Sequence, residues 1–154
     1  MNKIKSGIVL VGALLSLNLG VASLPIITNL SHAKQTDIAC LARNIYHEAR
    51  GEPIQGQIAV AQVTVNRVAS GEFQSSICKA VYAHRQFSWT LDKSKKIKDS
   101  KAWDAAVVIA TAVLTKSIHL PDFKALYFHT KQVKPKWNRN KRILAVIGNH
   151  IFYA

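Results

Sequence analysis

Acidic residues are scarce in this chain: 8 Asp plus Glu stand against 21 Lys plus Arg in 154 residues, a formal net charge of +13. Chemistry that needs two carboxylates must draw both from that short set. Cysteine occurs only as Cys40 and Cys78, enough for one disulfide in an oxidising compartment. Metal-ligand spacing is missing as well. His47-Glu48 begins like the metalloprotease pattern of two histidines four apart, but Gly51 occupies the second histidine position. The remaining candidates, His84, His119, His129 and His150, are scattered. No internal repeat, heptad run or low-complexity linker follows the N-terminal segment. What is abundant is apolar: 49% hydrophobic residues argue for one packed core and against disorder.

The large positive charge points to an anionic partner without naming it, since nucleic acid, anionic lipid and bacterial cell wall all qualify. The N-terminus narrows that choice. Lys3 and Lys5 precede an uncharged apolar stretch from Gly7 to about Ile27, and Ser31-His32-Ala33 and Gly20-Val21-Ala22 each offer small residues for signal peptidase, the first being preferred. Residues 1–33 are therefore expected to be a secretory leader cleaved after Ala33. The alternative is an uncleaved anchor, because the stretch is long enough to span a bilayer. Either way, residues 34–154 form a single domain outside the cytoplasm. Export weighs against nucleic acid and favours cell wall or membrane.

Hydrophobic spacing predicts a mostly helical domain. Thr36 or Asp37 can cap a helix to about Arg50, with Ile38, Leu41, Ala42, Ile45 and Ala49 on one face and Gly51 as its stop. Pro53 opens a second helix through Ile54, Ile58, Ala61, Val65 and Val68, ended by Gly71. Ser75 or Ser76 caps a short third helix. Residues 86–100 read as a solvated basic loop. Asp99 or Ser100 caps a longer helix that buries Trp103, Val107, Ala110, Val113 and Leu114. Ala125–His129 reads as a strand, and Ile143–Tyr153, around Gly148, as one or two more. The expected class is α+β with a small antiparallel sheet.

Glu48 is the residue whose position carries chemistry. Leu41, Ile45 and Glu48 are spaced i, i+4, i+7, so the carboxylate lies on the apolar face of the first helix. Partial desolvation there raises its pKa and keeps it protonated near neutrality, as a proton donor to a glycosidic oxygen requires. The structural alternative is a helix-end salt bridge with Arg43 or Arg50. Asp37, Asp99 and Asp104 read as first-turn charges favoured by the helix dipole, and Glu52 follows Gly51 out of the helix. No second carboxylate announces itself, which favours a mechanism with one. A rival is a Cys–His amidase or peptidase, with Cys40 as thiolate in a first helical turn and His129 or His150 as base. Gln86-Phe87-Ser88-Trp89 and Tyr127-Phe128-His129 suit sugar stacking and polar contacts in a cleft, although Phe87 and Phe128 read as packing, unlike Gln86, Trp89 and His129. The run Lys134 to Arg142 reads as a solvated, anion-attracting face. A second rival is accordingly a non-enzymatic cationic protein that binds wall or membrane.

The string from Cys40 to Pro53, CLARNIYHEARGEP, resembles the signature of the SleB/CwlJ-type cell-wall hydrolases. The resemblance continues through Gly56–Val63 and Asn66-Arg67-Val68, then Ser76-Ile77-Cys78, Gln86–Trp89 and Tyr127–His129, and ends at Ile147–Tyr153. It covers roughly residues 37–154. It implies a lysozyme-like fold, and cleavage of peptidoglycan between N-acetylmuramic acid and N-acetylglucosamine with Glu48 as the catalytic acid. It also implies a lytic transglycosylase outcome, in which the muramoyl 6-hydroxyl replaces water and leaves a 1,6-anhydro end, with hydrolysis by a muramidase as the alternative. Gln86, Trp89, Tyr127 and His129 would line the cleft. The expected partner is the glycan strand in an anionic wall, acted on by a monomer that uses no metal or cofactor.

Overall fold

A computed structural model describes residues 30–154. The expected leader lies almost wholly outside them. Among the described residues four α-helices come first: α1 (His32–Ala49), α2 (Ile54–Ser70), α3 (Ile77–Val81) and α4 (Ser100–Leu114). Three strands follow, β1 (Tyr127–Thr130), β2 (Ile143–Ile147) and β3 (His150–Tyr153), forming an antiparallel sheet in the order β1-β3-β2. Short 3-10 turns occupy Ser88–Leu91 and Lys136–Asn140. Among the described residues no helix is long and apolar enough to cross a membrane.

The first helix starts earlier than its sequence suggests, and the expected processing point after Ala33 falls within its first turn. Ser31, not Thr36 or Asp37, is the cap, its hydroxyl accepting from the Lys34 N–H at 3.4 Å. The two expected caps are engaged elsewhere. The Thr36 hydroxyl donates back to the His32 carbonyl at 2.9 Å, a bond available only inside a helix. Asp37 accepts the Cys78 N–H at 3.4 Å, so it serves the start of α3 rather than its own first turn. The Cys40–Cys78 disulfide ties the same two helices together.

Helix α2 is central, and this explains why its buried surface is wider than one stripe. Ile58 and Ala61 join Leu41, Ile45, Val81 and Ile109 in a cluster among the four helices. On its other face, Ala59, Val60 and Val63 meet Ala49, Ala125 and Phe152 beneath the sheet. Ile54, expected on the buried stripe, is 59% exposed. Gly71 ends the helix in a left-handed conformation, φ 73°, where a side chain would be strained.

Strand β1 begins two residues later than expected because side chains of α2 take the preceding carbonyls. Asn66 donates to the carbonyls of Phe123 and Ala125 at 2.8 and 3.1 Å, and Arg67 to that of Leu126 at 2.6 Å. Of the one or two strands expected over Ile143–Tyr153, two form, joined through Gly148 and Asn149. Gly148 has φ 56°, and a Cβ there would run into the Glu52 carboxylate and Pro53. Glu52 accepts the Asn149 N–H at 2.8 Å and its side-chain amide at 3.2 Å, fastening the hairpin to the α1–α2 corner.

Candidate active site

Glu48 sits on the last turn of α1, above Leu41 and Ile45, both fully buried. Burial pushes its pKa up to about 7, against weaker opposition from the Trp89 indole N–H and the Arg67 charge. The indole Nε1 is buried without a partner in hydrogen-bond geometry, so it polarises the carboxylate without clamping it. Neither arginine expected to pair with Glu48 does so. The Arg50 guanidinium lies 5.0 Å over the Tyr46 ring and donates to the Tyr46 carbonyl, while Arg43 lies 6.0 Å from the centre of the Trp103 ring. Among the described residues, no cation stands within ion-pair distance of Glu48.

Two cavities meet at this carboxyl. One, of about 380 Å³, is walled by Glu48, Arg67, Gln86, Phe87, Phe128, His129 and His150. The other, of about 350 Å³, includes Glu48, His47, Arg50, Trp89, Asp92 and Lys95. Ser88 is shared between them. A protonated carboxyl at the junction of two sugar-sized hollows can donate to an atom that bridges their occupants.

The other expected site residues divide. Gln86 and His129 reach the first cavity. Trp89 reaches the second, stacked on His47 with ring centres 4.5 Å apart. His129 is firmly held. Its Nδ1 must carry the proton, because it meets the Thr130 carbonyl at 2.8 Å, and its Nε2 meets the Tyr153 hydroxyl at 2.8 Å and the Asn138 amide at 3.1 Å. Tyr127 lines neither cavity. Its ring packs near Phe73 and Trp137, with the Lys141 ammonium 3.5 Å from its centre. Phe87 and Phe128 act both as packing and as cavity wall. The Cys40 thiolate reading is overturned, because the sulfur is bonded to Cys78 and no free cysteine is left.

The comparisons with known proteins agree with this architecture. The family model described as Cell Wall Hydrolase matches residues 51–153, from the α1–α2 corner to the end of β3. The chain belongs to the cell wall hydrolase family. The matched span begins just after Glu48, so the placement of that residue rests on α1 itself. A spore cortex-lytic enzyme of Bacillus cereus is 33% identical over 119 residues, covering 77% of this chain and 44% of the relative. The chain thus spans less than half the length of that curated relative. The crystal structure of the catalytic domain of Bacillus cereus SleB superposes with TM-score 0.62 at 30% identity, covering 78% of this chain and 91% of that one. The catalytic domain of the germination-specific lytic transglycosylase SleB from Bacillus anthracis gives 0.64 at 30%, covering 82% and 98%. The fold is therefore the lysozyme-like α+β domain that the sequence resemblance implied.

Within this hydrolase fold, Arg67 and Asp92 line the site with no role assigned from sequence, and His150, the candidate base of the thiol reading, lines it without a thiol partner. Arg67 is 5% exposed and shares a cavity with Glu48. Its signal was available: Val60, Thr64 and Arg67 repeat the i, i+4, i+7 spacing that singled out Glu48. His150 is 1% exposed, with burial lowering its pKa, and its Nδ1 is 3.9 Å from Glu52. Asp92 carried no signal, since it lies in an aperiodic loop that only the fold brings toward Glu48.

Proposed function

We propose that the chain cleaves the glycan strand of bacterial peptidoglycan at the bond between N-acetylmuramic acid and N-acetylglucosamine, with Glu48 as proton donor. The observation that carries this reading is a carboxyl held protonated to about pH 7 by burial, at the junction of two cavities. Glu48 protonates the glycosidic oxygen as the bond to the anomeric carbon breaks. The resulting carboxylate then accepts the proton of the muramoyl 6-hydroxyl as that oxygen closes on the anomeric carbon. The name of the Bacillus anthracis structural neighbour, a lytic transglycosylase, favours this outcome. Export across the membrane and attraction of the basic surface to an anionic wall complete the reading.

Hydrolysis is the second reading, and Asp92 is the observation behind it. Asp92 lines the cavity on the other side of Glu48 and is exposed. Hydrogen bonds from the Ser94 hydroxyl and N–H hold its pKa below the usual range, so it is ionised at neutral pH. A carboxylate in that state can activate water. Mass spectrometry of fragments from purified sacculi separates the two. The transglycosylase reading expects 1,6-anhydromuramoyl ends and an active Asp92→Asn variant. Reducing ends, together with loss of activity in Asp92→Asn, would establish hydrolysis and overturn it.

A further inference from the structure

Arg67 holds a charge that the steps above leave unused. Burial draws its pKa down to about 10, which still leaves it cationic throughout the neutral range. A guanidinium has five N–H donors; the hydrogen bond found here among the described residues is from Nε to the Leu126 carbonyl at 2.6 Å. Three rings flank it, with centres 5.3 Å (Phe73), 5.9 Å (Phe87) and 6.0 Å (Tyr127) from the guanidinium carbon. Gripped by a carbonyl and three rings, the cation cannot swing away from the cavity wall it shares with Glu48.

We infer that Arg67 is a positioning residue that acts through Glu48: from beyond ion-pair distance, across the cavity wall they share, its fixed charge stabilises the carboxylate that Glu48 becomes once the proton has left. The inference rests on the reading of Glu48 as proton donor. In the first half of the reaction the proton passes to the glycosidic oxygen, and the electron pair of the broken bond leaves with that oxygen. Glu48 is then an anion in a partly dry cavity. It stays there until it accepts the proton of the incoming hydroxyl, whose oxygen bonds to the anomeric carbon. A cation fixed nearby lowers the cost of that interval in both halves.

Other groups near Glu48 do not supply this charge. His47 on α1 and His150 on β3 are held toward the neutral form by burial. On β1, His129 has both ring nitrogens engaged. Residues 86–91 contribute the Trp89 N–H and no ionisable group. In the adjoining cavity, Arg50 and Lys95 are exposed, so water screens them, and Asp92 has the wrong sign.

The test compares rates of fragment release from sacculi against pH for the full chain and for Arg67→Gln, Arg67→Met, Arg67→Lys and Glu48→Gln, each checked for folding by circular dichroism. Methionine is included because an apolar side chain at a buried charged position is often well tolerated. Without the cation the Glu48 pKa rises, so a neutral variant should move its alkaline limb up by about one pH unit and, by the same stabilisation lost, slow by roughly tenfold. Arg67→Lys keeps the charge and should keep the limb. A purely structural role would lower the rate equally at every pH. A folded neutral variant with the wild-type limb overturns the inference. If neither neutral variant folds, Arg67→Lys decides: a limb displaced by more than about 0.3 pH unit overturns it. An active Glu48→Gln variant refutes the underlying reading instead, whereas an inactive one with an unmoved Arg67 limb sinks only the role of Arg67.

Discussion

Replacing Glu48 by glutamine should stabilise the protein in alkaline solution while abolishing its activity. The carboxyl titrates near 7 in the folded chain instead of at its ordinary value of 4.5. Between those two pH values the folded state binds more protons than the unfolded one, so stability falls as pH rises. At about 1.36 kcal/mol per pH unit, the ionised carboxylate costs the wild type about 3 kcal/mol once the pH exceeds 7. Glutamine cannot ionise and escapes that cost. Its amide also seeks hydrogen bonds in a partly dry site, which takes back about 1 kcal/mol. The net gain at pH 8 is about 2 kcal/mol, or a rise in Tm of roughly 5–10 °C. At pH 4 both wild-type states are largely protonated, so the advantage vanishes and the amide leaves the variant about 1 kcal/mol less stable. Urea unfolding of the two proteins from pH 4 to pH 8, with the disulfide intact, measures the difference directly. The histidines titrate in both proteins and cancel from it. A difference that stays constant across that range, or a wild type that gains on the variant as pH rises, would refute the argument that burial keeps Glu48 protonated.

Three further outcomes concern the frame around the site. Cys40→Ser with Cys78→Ser opens a loop of 38 residues and should cost about 4 kcal/mol on the chain-entropy estimate, read as a lower urea midpoint. Tyr46→Phe removes the hydroxyl that accepts the Lys98 and Asp99 N–H groups at 3.0 and 3.1 Å. It should cost about 1–2 kcal/mol and speed amide exchange at the start of α4. Gly148→Ala forces a side chain into a positive-φ turn already filled by Glu52 and Pro53, and should cost about 2 kcal/mol or more. A neutral result in the thermal melt of that variant would contradict the packing described for the hairpin.

Periodicity carries the face of α1 well because it repeats locally, whereas on α4 the buried positions are Ala106, Ile109, Ala110 and Val113, and Trp103, Val107 and Leu114 of the expected stripe are only partly buried. The α1 stripe from Ile38 to Ala49 is buried throughout, and Asp99 caps α4 as its position indicated, accepting the Ala102 N–H at 3.0 Å. The start of α1 is not legible locally because Thr36 and Asp37 have capping chemistry, and only the arrival of α3 shows where Asp37 is engaged. The shift of β1 has the same origin, since Asn66 and Arg67 reach it from nearly 60 positions away. For the site, the desolvation of Glu48 was legible from spacing on one helix. Its neighbours come from α2, the 86–91 segment and the sheet, and no local pattern joins these. Tyr127 shows the converse. It lies in the same short string as His129, yet its ring packs outside both cavities.

The central claim is that Glu48 cleaves the glycan by giving up a proton, and digestion of purified sacculi by wild type and Glu48→Gln tests it most directly. The rates should be compared at low and high salt, with fragments identified by mass spectrometry. The account predicts new muramoyl ends from wild type only, at a rate that declines with salt as surface attraction is screened. Equal release of the same fragments by a folded Glu48→Gln protein would contradict it.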